Sequence, residues 1–197
     1  LYKRNIYLKE SSVEAQYQAL QSQLNPHFLF NSLNTLISEI GYNPENAILF
    51  TQNLSDVYRY ILQCQQQRLV TLGSELEFLD SYVFLHRVRL GDCITVDCRL
   101  DESLLEYRLP PLTLQLLAEN VIKHNIISLR QPMVLSLSSE DENWLVVSNS
   151  VRPKKSVQPS GMGLKNLASR YRLVCGQEII IEKTTELFTV KIPLLYE

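Results

Sequence analysis

The chain has 197 residues, 45% of them hydrophobic and 20% charged, with a net charge of −2. That length fits one large domain or two small ones, and that composition belongs to a globular chain able to bury a core. The near-neutral balance gives no electrostatic footprint for direct nucleic-acid binding, and no apolar run approaches the roughly 20 residues of a membrane span.

Lys3 and Arg4 near the start read either as the basic flank of a preceding, missing membrane segment or as an arbitrary start. From about Ser12 to Leu90 the pattern is helical. Leu20, Leu24, Phe28, Leu29, Leu33, Leu36, Ile37 and Ile40 recur at three- and four-residue steps. Inside this run stands Asn25-Pro26-His27-Phe28-Leu29-Phe30-Asn31. Its proline removes a backbone donor and predicts a kink at His27, a device suited to presenting a nucleophile rather than packing an imidazole.

Gly41-Tyr42-Asn43-Pro44 supplies a stop, and Pro44 can open the next helix, which carries Ala47, Phe50, Leu54, Val57, Tyr58 and Ile61. That helix continues or restarts near Gly73-Ser74, where Ser74 and Glu77 have capping-box spacing, and Leu76, Leu79, Val83 and His86 extend the pattern to about Leu90. Two long amphipathic helices cannot close a core alone, so periodicity predicts a homodimer with a four-helix bundle.

After Gly91-Asp92 the texture changes. Alternation predicts strands around Ile94–Cys98 and Val134–Ser138, followed by Trp144–Val147 after the polar turn 140–143. Residues 178–183 and 187–192 read as a closing hairpin, with helices near 111–126 and 163–175 between the strands. The fold class is therefore α+β, one sheet against one helical layer. Domains are expected at 1–90 and 91–197. Cys64, Cys93, Cys98 and Cys175 have no metal-site spacing and read as reduced thiols, small residues of the core.

Two further segments bear on chemistry. Asn120, Lys123 and His124 share one helix face, suiting a Mg²⁺-nucleotide through an amide ligand and a phosphate-binding lysine; a solvated polar face explains the same spacing. Gly161-Met162-Gly163 stands just before a helix, where glycines let a backbone approach phosphate, although a turn needs no more. The preceding stretch 150–160, with Arg152, Lys154 and Lys155, reads as a mobile basic loop, a lid or simply a connection.

Three motifs in order carry a resemblance over nearly the whole chain: Asn-Pro-His-Phe-Leu-Phe-Asn at 25–31, Glu-Asn-x-x-Lys-His at 119–124, and Gly-x-Gly-Leu-x-Asn at 161–166 followed by Arg170. In these the chain resembles the LytS/YehU-type sensor histidine kinases. The resemblance implies a dimeric helical hairpin carrying the phosphoacceptor, joined to an α/β-sandwich ATP-binding domain of the GHKL type. His27 would take the γ-phosphoryl group of ATP and pass it to an aspartate of a response regulator, of the LytTR type. Asn120 would hold Mg²⁺, Lys123 would steady phosphates and His124 would line the ribose or phosphate region. Gly161, Gly163, Leu164, Asn166 and Arg170 would complete the nucleotide site. The whole would be the cytoplasmic domain of an inner-membrane protein.

Two departures stand out. Phe28 occupies the position where many histidine kinases of other subfamilies carry an acidic base; Glu119 is a candidate base from the other domain, or only a helix-surface or supporting group. Asn31 would orient water for dephosphorylation, or only hydrogen-bond within the bundle. Where the superfamily reads the adenine amine with an aspartate, this chain has Val147-Ser148-Asn149-Ser150-Val151. Asn149 could still accept from that amine, without the charge-assisted strength, or serve only as a strand-end turn residue. The alternative function is a dimeric signalling scaffold with weak or lost nucleotide binding and no kinase activity. His86, Arg87, Arg89 and Trp144 read as structural.

Overall fold

The computed structural model describes residues 26–141, 143–154 and 162–196. The helical pattern before Pro26, and with it the turn in which the kink is expected, lies outside the described residues.

Three helices come first: α1 (Pro26–Tyr42), α2 (Pro44–Gln63) and α3 (Leu72–Leu90). The break between α1 and α2 follows from local chemistry. Asn43 caps α2 by accepting from the Asn46 amide, and Pro44 sits in the first turn, where its missing donor is harmless. Helix α2 buries Ala47, Phe50, Leu54, Val57 and Ile61, a stripe at steps of three and four.

The chain then restarts rather than continuing. A two-residue strand, β1 (Val70–Thr71), pairs antiparallel with β3 (Arg108–Leu109), and α3 begins directly after it. The cap of α3 is Thr71, not Ser74: Thr71 Oγ1 accepts from the Ser74 amide, and Ser74 Oγ donates to the Thr71 carbonyl. Two more amide donors of this end, Leu72 N and Gly73 N, reach the carbonyls of Tyr107 and Leu105. Tertiary pairing thus sets the start of α3 three residues before the expected one.

A five-stranded sheet follows, in the order β2 (Ile94–Arg99), β4 (Met133–Glu140), β5 (Trp144–Ser150), β7 (Leu187–Pro193) and β6 (Ile180–Lys183). The β2–β4 pair is parallel and the others are antiparallel. Helices α4 (Thr113–His124) and α5 (Met162–Cys175) pack with α3 to form the helical layer. Helix α4 is shorter than the expected 111–126, because Pro110 and Pro111 precede it and Asn125 ends it in an extended conformation. The α+β class is as the sequence predicts.

One contiguous buried cluster joins Phe50 and Val57 of α2, Leu79 of α3, Leu114 of α4, Leu145 of β5 and Leu167 and Tyr171 of α5. Cys64 and Cys93 lie in the core as expected, but Cys98 is exposed on β2, the edge strand, and Cys175 is only half-buried. No helix among the described residues is long and apolar enough to cross a membrane.

The cap assignment is testable by urea unfolding. Thr71→Ala should lower stability by about 1 kcal/mol, the usual cost of deleting a capping hydroxyl, whereas Ser74→Ala should lower it by less than half as much.

Candidate functional site

Helix α4 is the platform of the site, and both of its ends are held from outside. At the N-terminus, Leu112 adopts a left-handed conformation (φ 61°, ψ 20°) that costs an ordinary residue roughly 1–2 kcal/mol, and it offers no side-chain cap of its own. Glu75 of α3 supplies the cap. Its fully buried carboxylate accepts from Leu112 N (2.7 Å) and Leu114 N (3.0 Å), and from Tyr60 Oη of α2 (2.8 Å). Burial pushes the Glu75 carboxyl up, while these three donors and the Arg170 guanidinium hold it down. A carboxylate at a helix N-terminus also meets the positive end of the helix dipole.

At the C-terminus, Asn125 Nδ2 donates to the Val121 carbonyl, and its Oδ1 accepts from the Arg152 amide at 2.8 Å. The Lys154 amide donates to the His124 carbonyl, and Lys154 Nζ to the Ile122 carbonyl at 2.8 Å. These bonds strap residues 152–154, expected in a mobile loop, against the end of α4. They also place an ammonium at the negative end of the helix.

Between α4, this strap, the start of α5 and the β6–β7 hairpin lies a cavity of about 410 Å³. Glu119, Asn120, Lys123 and His124 line one wall, Gly163 and Leu164 another. Val151, Pro153 and Phe188 add apolar surface, and Lys154 and Lys183 bring two more ammonium groups. Lys183 pairs in register with Phe188 across the hairpin. Its contribution is invisible in sequence, since only sheet register brings it 60 residues along the chain to Lys123.

Electrostatics reflect this convergence. Partial burial holds His124 below its ordinary pKa, and the charges of Lys123, Lys154 and Lys183 lower it further. Burial pushes Glu119 up, with Lys123 opposing. An apolar wall facing three ammonium groups, with an amide at Asn120, suits a planar ring attached to a polyphosphate. A larger, open groove of about 740 Å³ runs between α2 and α3, where Arg59 is already paired with Asp56.

Six of the sequence-derived residues therefore meet at one cavity: Glu119, Asn120, Lys123, His124, Gly163 and Leu164. Asn149 is buried in β5 off the cavity wall, and its amide donates to the Ser150 carbonyl at 2.7 Å. Asn166 is exposed on α5 and does not line the cavity. Arg170 donates to the Pro111 carbonyl at 2.6 Å, tying α5 to the entrance of α4. Gly161 lies outside the described residues.

His27 and Asn31 stand apart from the cavity, on α1. His27 is exposed, and Asn31 Nδ2 lies 3.2 Å from its Nδ1 and 3.3 Å from its Nε2. The next residue, Phe28, points the other way. Its ring centroid lies 5.4 Å from Tyr82, 5.5 Å from His86 and 6.4 Å from Tyr58. Tyr82 in turn is buried and feels the charge of Glu119, which with burial raises its pKa. His86 is a packed histidine. Burial, then Arg89, lowers its pKa to about 3. Arg89 Nη2 donates to Nδ1 at 2.9 Å, leaving the proton on Nε2, which has no hydrogen-bond partner among the described residues.

The described residues thus form a helical hairpin presenting an exposed histidine, joined to an α+β layer with a cationic cleft. Residues 15–94 match the family model described as histidine kinase. The sensor protein LytS of Staphylococcus haemolyticus is 33% identical over 130 residues, covering 66% of this chain and 22% of that protein. The sensor histidine kinase YpdA of Escherichia coli is 32% identical over 189 residues, covering 89% of this chain and 33% of that protein. The chain thus spans a third or less of the length of these relatives. The Acinetobacter baumannii histidine kinase AdeS superposes with a TM-score of 0.42 at 12% identity, covering 93% of this chain and 97% of that one; so loose a superposition carries no functional weight. Residues 15–94 thus belong to the histidine kinase family, and most of the chain is similar to sensor histidine kinases such as LytS.

Two measurements probe these environments. The His124 titration, followed by NMR, should move to higher pH in Lys183→Ala, because one of the three lowering charges is gone. His86 stays neutral in the folded state down to about pH 3 but protonates near pH 6.5 when unfolded. Its contribution is therefore intact above pH 6.5 and is lost as pH falls toward 3, by up to ~1.4 kcal/mol per pH unit. Chemical unfolding of His86→Phe should show a correspondingly shallower loss of stability than wild type between pH 6.5 and 4.

Proposed function

We propose that this chain is the catalytic core of a two-component sensor histidine kinase that phosphorylates His27 from ATP and passes the phosphoryl group to an aspartate of a response regulator, of the LytTR type. The observation that carries this reading is the convergence of Lys123, Lys154 and Lys183 on the cavity holding Asn120. Three cations from three separate elements match a triphosphate better than they match an uncharged ligand.

In the proposed reaction a ring nitrogen of His27 attacks the γ-phosphorus, its bond to the β,γ-bridging oxygen breaks, and ADP leaves. The proton on the other ring nitrogen passes to a base, for which Glu119 is the candidate. Burial raises its pKa against the opposing charge of Lys123, which makes its carboxylate a stronger base. Lys123, Lys154 and Lys183 hold the phosphates and oppose their charge, which is most of what phosphoryl transfer asks of a protein. Asn120 together with phosphate oxygens would hold Mg²⁺, which neutralises charge on the transferring group. Gly163 and Leu164 close the cavity from α5, with Gly161 ahead of them. Asn31, bonded to His27, would orient water for dephosphorylation.

His27 is not on the cavity wall, so transfer requires the hairpin and the sandwich to close on each other, within a protomer or across a dimer. The dimer draws support from α1, where Phe30, Leu33, Ile37 and Ile40 are 64%, 41%, 70% and 58% exposed at steps of three and four. An apolar stripe of that length is covered in a four-helix bundle. We place the domain division at the end of α3, near residue 90, and the chain on the cytoplasmic side of the inner membrane, attached through a segment outside it.

A second reading, a dimeric scaffold that signals by conformation without kinase activity, draws on Asn149, whose amide is turned onto Ser150 rather than toward the cavity. Incubation with γ-labelled ATP and Mg²⁺ separates the two. Wild type should acquire acid-labile label, His27→Gln none, and Asn120→Ala at least tenfold less. Nucleotide binding without any label in wild type would favour the scaffold, and label retained in His27→Gln would refute the acceptor.

A further inference from the structure

Glu75 has no place in the proposed phosphoryl transfer, yet it is the fully buried charged residue onto which three helices converge. Oε1 accepts from Tyr60 Oη of α2 and from Leu112 N at the start of α4; Oε2 accepts from Leu114 N. Arg170 of α5 acts on the same carboxylate through its charge and bonds the Pro111 carbonyl one residue before Leu112. Every group facing Glu75 across these bonds is an N–H or O–H donor, so the ionised form is the one the arrangement satisfies.

We propose that Glu75 is a positioning residue that couples the phosphoacceptor hairpin to the nucleotide helix, by holding α2 through Tyr60 and the N-terminus of α4 on one carboxylate. This rests on the kinase reading above, since it assigns α4 to the nucleotide and α1–α2 to the acceptor. The logic is geometric. Helix α4 carries Glu119, Asn120, Lys123 and His124, and its left-handed entrance at Leu112, which has no side-chain cap of its own, is capped by Glu75. Tyr60 belongs to the helix that forms a hairpin with the one bearing His27. Tyr60 and Leu112 N share one oxygen, so a displacement of α2 that withdraws the Tyr60 hydroxyl changes the charge and position of the group capping α4. A movement of the hairpin then reaches Asn120 and Lys123 without altering either residue.

Tyr60→Phe keeps the ring and removes the hydroxyl that bonds Glu75 and also meets Ser74 and Cys64, and Glu75→Gln keeps the shape while removing the charge. Three quantities separate the outcomes: affinity for Mg–ATP, the rate of His27 labelling at saturating ATP, and amide hydrogen exchange at Leu112 and Leu114. Tyr60→Phe should leave affinity within about twofold, slow labelling about tenfold and speed exchange at Leu112. Glu75→Gln should weaken affinity and slow labelling, each about tenfold, and speed exchange at Leu112 and Leu114 while the β4–β5 amides stay as in wild type. Wild-type behaviour of both variants overturns the proposal. So does a Tyr60→Phe variant in which affinity and rate fall together with faster exchange throughout the core, which marks a packing role alone. Should wild type itself fail to label, the kinase reading falls, while coupling is still decided by exchange and affinity, which need no phosphotransfer. In that case unchanged exchange at Leu112 in Tyr60→Phe overturns it.

Discussion

The structure depends on a carboxylate taken out of water. Burying Glu75 is unfavourable unless its charge is met, and the chain meets it with two backbone amides, a phenol and a nearby guanidinium. The donors come from α2 and the entrance of α4, and the guanidinium from α5, so the requirement of one side chain fixes three helices relative to α3. The left-handed Leu112 is tolerable because its amide has that partner. Removing the carboxylate would leave buried donors unpaired and the helix end uncapped, a larger penalty than the bonds themselves contribute.

From this fixed entrance α4 runs twelve residues to an end that is also held, by Asn125, Arg152 and Lys154. Only a helix pinned at both ends can keep Asn120, Lys123 and His124 aimed at one volume while strands from elsewhere close around it. The strap at its C-terminus also delivers Lys154, and the hairpin register delivers Lys183, so the same contacts that secure the helix build the cationic cleft. The lowered His124 pKa is the local signature of that crowding.

The hairpin is organised by a different rule. Helix α1 divides its apolar residues between two directions: Phe28 enters the aromatic group of Tyr58, Tyr82 and His86, while Phe30, Leu33, Ile37 and Ile40 face outward. His27 is exposed beside Asn31. Phe28, at the position where an acid was expected, has a packing partner on both other helices, which explains why an aromatic ring occupies it. Aromatic pairing of this kind adds stability beyond the area it buries.

Much of this was legible in the sequence, because it depends on neighbours along the chain. Periodicity revealed the helices, alternation the strands, and Asn43-Pro44 the break between α1 and α2; each signal reflects backbone and side-chain chemistry within a few residues. The helical face of Asn120, Lys123 and His124 and the exposed His27 followed from the same short-range geometry. What sequence could not reveal rests on contacts between residues far apart: Glu75 with Leu112 and Leu114, Arg170 with Pro111, and Lys183 with the cavity of α4. The strand pairing of Val70–Thr71 with Arg108–Leu109 moved the cap of α3 to Thr71, and β5 packing turned Asn149 onto its own backbone. Local propensity cannot foresee these, since a buried charge, a sheet register or a side chain's direction is settled only when distant segments compete for the same donors and the same space.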